Sequence, residues 1–169
     1  NKPPERIAII LFLFLIRIVY FCNVLKNTML SNSELILAIE SSCDDTAAAV
    51  LKDRKVLSNC IANQTIHKAY GGVVPELASR AHQSKIIPVV HQALAQANID
   101  KNDLTAIAYT QGPGLLGSLL VGSAFAKSVA LSLDVPLLPI DHMQGHLLVH
   151  FIEEEGIERP RFPFLGVTV

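Results

Sequence analysis

Residues 34–169 predict an α/β fold built on a mixed sheet, and two observations predict it. Three short apolar segments, at 35–39, 47–51 and 56–62, follow one another with polar or charged turns between them, the pattern of an antiparallel meander. From residue 71 onward helical and strand periodicities alternate, the pattern of further strands added to a sheet through covering helices. Half of the 169 residues are apolar and 17% are charged, enough material for one ordinary domain or part of a larger one.

The first strand, 35–39, is uninterrupted Leu-Ile-Leu-Ala-Ile, and it runs into the polar cluster Glu40-Ser-Ser-Cys-Asp-Asp-Thr46. Residues 47–51 resume as a second strand, 52–55 turn, and 56–62 form the third. Gly71-Gly-Val-Val-Pro75 then breaks the strand pattern ahead of the helices. Leu77 and Ala78 support a short helix over 76–81, and Ile86, Ile87, Val90, Ala93 and Leu94 recur at helical spacing over 84–97. A strand at 105–110, a glycine-rich turn at 111–117, a helix at 118–133 and a strand at 135–140 follow. After them come a turn carrying two histidines and the start of one more strand at 164–169.

Residues 1–28 do not read like the rest. Positions 7–25 are nearly continuous apolar sequence broken by Arg17. The stretch is long enough to span a bilayer, but an arginine at its centre costs about 2.5–3.5 kcal/mol on insertion. No small-residue cleavage site follows, which argues against a signal peptide. The chain opens on Asn1 and its first methionine is Met29, just before the first globular strand. The expectation is an upstream segment over 1–28, with a hydrophobic anchor as the alternative, and a lobe over 29–169.

A net charge of −1 leaves no electrostatic footprint for nucleic acid, so any RNA contact is a local patch or lies on another chain. Cys22, Cys43 and Cys60 form neither a pairable framework nor a C-x-x-C, which points to a reduced, cytoplasmic protein with no membrane partner.

Four sets of residues could carry chemistry. His142 and His146 stand four apart, so on a helical turn both imidazoles lie on one face and can address one metal ion; two solvated helix histidines would have the same spacing. His150 continues that series, but His142 and His150 lie about 11–12 Å apart along a helix axis, too far to share an ion, which makes His150 a surface residue. His67, His82 and His91 read as structural or solvent-facing. In the cluster 40–46, hydroxyls and backbone amides can hold phosphate oxygens while a carboxylate organises a cation or water, and a solvated β-turn has the same composition. Gly112-Pro-Gly-Leu-Leu-Gly117 matches G-x-G-x-x-G between a strand and a helix. A preceding meander and the place of Asp134, before its strand rather than at the strand's carboxyl end, argue against dinucleotide binding. The glycines then serve a tight turn and a close backbone approach. Glu76 and Arg80, four apart, can pair on a helix surface.

The element order is that of the ribonuclease-H-like lobe of actin-like ATPases and sugar kinases, whose ligands bind between two lobes. Four strings sharpen this: Leu37-Ala-Ile-Glu-Ser-Ser-Cys-Asp-Asp-Thr46, Tyr70-Gly-Gly-Val-Val-Pro-Glu-Leu-Ala-Ser-Arg-Ala-His82, Ala108-Tyr-Thr-Gln-Gly-Pro-Gly-Leu-Leu-Gly117 and His142-Met-Gln-Gly-His146. In this order they resemble the TsaD family, tRNA N6-adenosine threonylcarbamoyltransferases, formerly described as O-sialoglycoprotein endopeptidases. The resemblance covers about 34–169 and implies the first lobe of a two-lobed actin-like ATPase fold, truncated before the second.

By position, the resemblance makes His142 and His146 ligands of one divalent ion, iron or zinc, whose third ligand is an aspartate in the missing lobe. It makes Asp44 an active-site carboxylate. Thr168 and Val169 become substrate-binding residues on the strand that leads into a Ser-Gly-Gly-His-Thr loop. It implies transfer of threonylcarbamoyl from threonylcarbamoyl-adenylate to N6 of adenosine 37 in tRNAs reading A-starting codons. A paralogous partner subunit and an accessory ATPase are implied as partners. Asp141 and Gln144 depart from the family's usual His-His-Met-Glu-Gly-His. A lobe without its second half is expected to be inactive alone, which keeps a non-catalytic partner-binding module as an alternative. A metal-dependent endopeptidase fits less well, because Met143 stands where H-E-x-x-H needs its glutamate base.

Overall fold

The computed structural model describes residues 34–53, 55–63, 67, 70–152, 158, 160–161 and 163–167. The expectations for residues 1–28 and for Thr168 and Val169 lie outside the described residues.

Five strands form one mixed sheet in the order β3-β2-β1-β4-β5: β1 Leu35–Glu40, β2 Thr46–Lys52, β3 Lys55–Ala62, β4 Ala106–Gly112 and β5 Leu137–Asp141. β1, β2 and β3 pair antiparallel as the meander predicts, whereas β4 joins β1, and β5 joins β4, in parallel. β1, β2 and β4 are buried along nearly their whole length, which is why they read as unbroken apolar runs rather than alternating ones. Edge strand β3 alternates instead. Its inward Ser58 donates to the Ala93 carbonyl at 2.7 Å, and Cys60 approaches the Gln96 amide oxygen at 3.2 Å.

The two helices expected over 76–81 and 84–97 are one, α1 Pro75–Ala97. Pro75 sits at its first turn, where a missing N–H costs nothing. Pro88 lies inside it and should weaken it. The helix continues because Ala78, His82, Ile86, Val89, Val90 and Ala93 make one buried stripe against β2 and β3. His82, at the gap between the two expected helices, is in the middle of that stripe.

Helix α2, Leu116–Leu133, packs on β4 and against α1 through Ser118, Gly122, Ala126 and Ala130. Among the described residues it is the one helix long and apolar enough, by length and composition, to cross a membrane. Asp134 ends it in the left-handed conformation, with the Val135 N–H reaching back to the Ala130 carbonyl at 3.1 Å. That residue is a helix cap. A strand beginning at 164 is not formed by the described residues 164–167. Phe164 instead meets Phe151 edge-on at 5.2 Å.

Candidate metal centre

Because β1, β4 and β5 run parallel, their carboxyl ends meet at one edge of the sheet, where open α/β sheets bind ligands. That edge carries Glu40 at the end of β1, Thr110 near the end of β4, and Asp141 at the end of β5. A short helix, α3 His142–Leu148, starts at once. The Asp141 carboxylate caps it by accepting from the Gln144 N–H at 2.9 Å. Asp141 thus has a structural duty at the first turn of the histidine helix.

One turn of α3 places His142 and His146 as the spacing predicts. Their Nε2 atoms are 2.9 Å apart, with ring centroids at 4.6 Å and planes at 73°. Two imidazole nitrogens so close need a shared hydrogen or a shared cation between them. Ligands of a tetrahedral zinc stand about 3.3 Å apart, given bonds of about 2.0–2.1 Å, so opening the pair by a few tenths of an ångström admits an ion. Both the donor type and the convergence fit a borderline divalent metal. Among the described residues no third histidine, cysteine or carboxylate completes a ligand group.

Glu40 is the carboxylate that the structure brings to this pair. It is 4% exposed, its Oε2 lies 3.3 Å from His142 Nδ1, and it also accepts from the Thr110 hydroxyl and the Ser42 N–H. Burial alone would raise its pKa, but the hydrogen bonds from His142, Ser42 and Thr110 outweigh burial and hold it below the ordinary carboxylate range. The same contact with Glu40 raises the pKa of His142, while burial, and next the neighbouring His142, lower that of His146. Sequence reasoning placed Glu40 in the polar cluster without a role. Its signal was a lone acid at the last position of a fully apolar strand.

Asp44, the sequence candidate, is half-buried in the turn 41–45 and joins no ligand group with the histidines. Burial raises the pKa of the neighbouring Cys43 thiol, and Asp44 and Asp45 raise it further. The turn is held from three sides. His82 is buried, with Nδ1 2.8 Å from Thr46 Oγ1 and Nε2 3.0 Å from the Cys43 carbonyl, so it is a structural residue. Ser118 donates to that same carbonyl at 3.0 Å. Leu115 donates its N–H to the Ser42 carbonyl at 2.7 Å, docking the glycine loop on the turn.

The glycines answer to these approaches. A Cβ on Gly114 would stand 2.5 Å from the Ser42 carbonyl oxygen, one on Gly117 2.4 Å from Ser79 Oγ, and one on Gly122 2.1 Å from Ser41 Oγ. His91 and His150 are exposed, and His150 lines with His146 a cleft of about 450 Å³ bounded by Glu158, Pro160 and Phe164–Val167. His67 is buried, and its Nδ1 accepts from the Val74 N–H at 3.3 Å.

The family model TsaD, tRNA N6-adenosine threonylcarbamoyltransferase, matches residues 55–169. A tRNA N6-adenosine threonylcarbamoyltransferase of Christiangramia forsetii is 67% identical over 134 residues, 79% of this chain and 39% of the relative. That of Riemerella anatipestifer is 61% identical over 135 residues, 80% of this chain and 40% of the relative. A solved structure, YeaZ from Pseudomonas aeruginosa, matches with a TM-score of 0.51 at 22% identity, over 64% of this chain and 44% of that one. That likeness is one of fold. The chain spans about two fifths of the length of the curated relatives it matches. Over the part it spans, it belongs to the tRNA N6-adenosine threonylcarbamoyltransferase family, TsaD.

Proposed function

We propose that this chain supplies the first lobe of an enzyme that transfers threonylcarbamoyl from threonylcarbamoyl-adenylate to N6 of adenosine 37 in tRNAs reading A-starting codons. The observation that carries the reading is the convergence of His142 and His146 at the carboxyl edge of the sheet, in a chain of this family. The two imidazoles hold one divalent ion, iron or zinc, with further ligands from outside the described residues. Bound there, such an ion supplies a Lewis acid able to polarise a carbonyl or phosphoryl oxygen.

The rest of the site is built by the chain's own groups. The turn 41–45 and the glycine loop, docked together, form the floor against which the adenylate lies, with Asp44 as the carboxylate that orients it or takes a proton. Thr168 and Val169 contribute to the substrate wall. tRNA, a paralogous partner subunit and an accessory ATPase are the partners in this reading, and the setting is cytoplasmic. In this reading the transfer site also draws on the part of its relatives that the chain does not span.

Extending this chain with the downstream part of the Christiangramia forsetii relative should yield a protein that modifies unmodified tRNA, given its partners and threonylcarbamoyl-adenylate. The His142→Ala, His146→Ala double variant of that protein should lose transfer. Retained transfer in the double variant would remove the histidines from the reaction.

A second reading, a partner-binding lobe without chemistry, is favoured by the apolar Ile87, Leu120 and Leu131, exposed on α1 and α2. Transfer by the extended protein excludes it as the whole function. An endopeptidase reading has no support at Met143, which is exposed beside His142 and carries no base.

A further inference from the structure

We propose that Glu40 is a positioning residue that fixes the tautomer of His142, keeping the hydrogen on Nδ1 and the Nε2 lone pair facing His146. Its functional consequence rests on the reading of the two histidines as metal ligands.

The polarity follows from what surrounds each oxygen of Glu40. Oε1 faces the Ser42 backbone N–H, which can only donate. Oε2 accepts from the Thr110 hydroxyl and faces His142 Nδ1 at 3.3 Å. A carboxylate only accepts, so Nδ1 has to donate to it. Ser42 Oγ, also 3.3 Å from Nδ1, can play either part and leaves the decision to Glu40. A neutral ring with its hydrogen on Nδ1 has its lone pair on Nε2, the atom 2.9 Å from His146 Nε2. A carboxylate behind a ligating imidazole holds the ring in place and strengthens it as a donor. Glu40 is buried, and an unpartnered carboxylate would not persist there. Its three donors come from the turn after β1, from β4 and from the first residue of α3, so the ring orientation is tied to the sheet itself.

Long-range proton–nitrogen NMR spectra of the complete chain at pH 8, without metal, report the tautomer. In the wild type His142 should carry its hydrogen on Nδ1. Glu40→Gln is nearly isosteric and should invert this. Its amide oxygen stays on the Ser42 N–H, so its NH2 turns to His142 Nδ1, which must then accept. The hydrogen moves to Nε2, and Zn2+ affinity measured by chelator competition should fall about 10–100-fold. Glu40→Ala, which removes the carboxylate altogether, should give mixed tautomers and a loss of affinity in the same range. A wild-type His142 with its hydrogen on Nε2 overturns the proposal, and that measurement needs no variant to fold. Wild-type Zn2+ affinity in Glu40→Gln also overturns it where His142→Ala, His146→Ala lowers that affinity. The ligand reading fails separately: if His142→Ala, His146→Ala keeps wild-type Zn2+ affinity while Glu40→Gln still inverts the ring, the metal lies elsewhere and the Glu40–His142 orientation stands.

Discussion

Gly122 and Ser41 are in such close register that a methyl group on the glycine would stand 2.1 Å from the Ser41 Oγ and 3.1 Å from its Cβ. Ser41 cannot swing aside freely, because it is buried and its hydroxyl donates to the Ser118 carbonyl at 2.9 Å. Alanine is ordinarily favoured over glycine inside a helix by about 1 kcal/mol. Overpacking a tight contact costs about 1–3 kcal/mol and should win here. Urea denaturation of Gly122→Ala should therefore show a net loss of up to about 2 kcal/mol. Adding Ser41→Gly should recover part of the loss, and an undiminished penalty in the double variant would place the clash elsewhere.

The contact at Gly114 differs in kind, since a Cβ there meets the Ser42 carbonyl oxygen at 2.5 Å and its Cα at 3.0 Å. Backbone cannot change rotamer, so the loop or the turn has to move. Ser42 touches both Glu40 and His142, and Gly114→Ala should lower Zn2+ affinity as well as thermal stability. Gly122→Ala should lower stability with little effect on affinity. Gly72→Ala, where nothing lies within 4 Å, serves as the neutral reference, within about 0.5 kcal/mol of wild type.

The ion pair on α1 marks the other end of the scale. Arg80 and Glu76 meet at 2.7 Å, yet their side chains are 73% and 75% exposed. Water and salt screen such a pair, so Glu76→Ala should cost no more than about 0.5 kcal/mol. Melting curves in low salt and in 1 M salt should converge for wild type and variant. A loss several times larger would mean that Glu76 does more than pair with Arg80.

The strand segments and the histidine pair were legible in the sequence because each rests on local periodicity: unbroken apolar runs for β1, β2 and β4, and a four-residue spacing on one turn for His142 and His146. Tertiary packing hid the rest. The gap at His82 separated two helices on paper, and only the buried stripe from Ala78 to Ala93 shows that the helix carries through both His82 and Pro88. Glu40 reaches His142 across 102 positions of sequence, a pairing that exists only once β1 and β5 flank β4. The glycine motif matched a phosphate fingerprint in spacing, while its Gly114 and Gly117 answer to Ser42 and Ser79 as neighbours.

His82 should make stability depend on pH in a predictable direction. The Cys43 carbonyl can only accept, so His82 Nε2 carries the ring hydrogen and Nδ1 accepts from the Thr46 hydroxyl. Burial is the largest influence and holds the His82 pKa below its ordinary value, although the Cys43 carbonyl, Glu40 and Asp44 pull the other way. In the unfolded chain the ring titrates near about 6.5, so below that pH the unfolded state binds the additional proton. The contribution of His82 is thus fully present above about pH 6.5 and is lost as pH falls through that value toward the lower folded pKa. His142, raised by Glu40, works in the opposite sense: its contribution is present at low pH and fades as pH rises through its folded pKa. Net curves mix the two, and a difference separates them. His82→Gln keeps a donor for Cys43 and an acceptor for Thr46 but does not titrate. The stability difference between wild type and His82→Gln should shift steadily against the wild type from pH 7 to pH 5, measured by chemical denaturation. A difference that stays constant across that range would mean that His82 binds its proton equally well in the folded and the unfolded chain, and one that shifts toward the wild type would mean that the buried ring is charged in the folded protein.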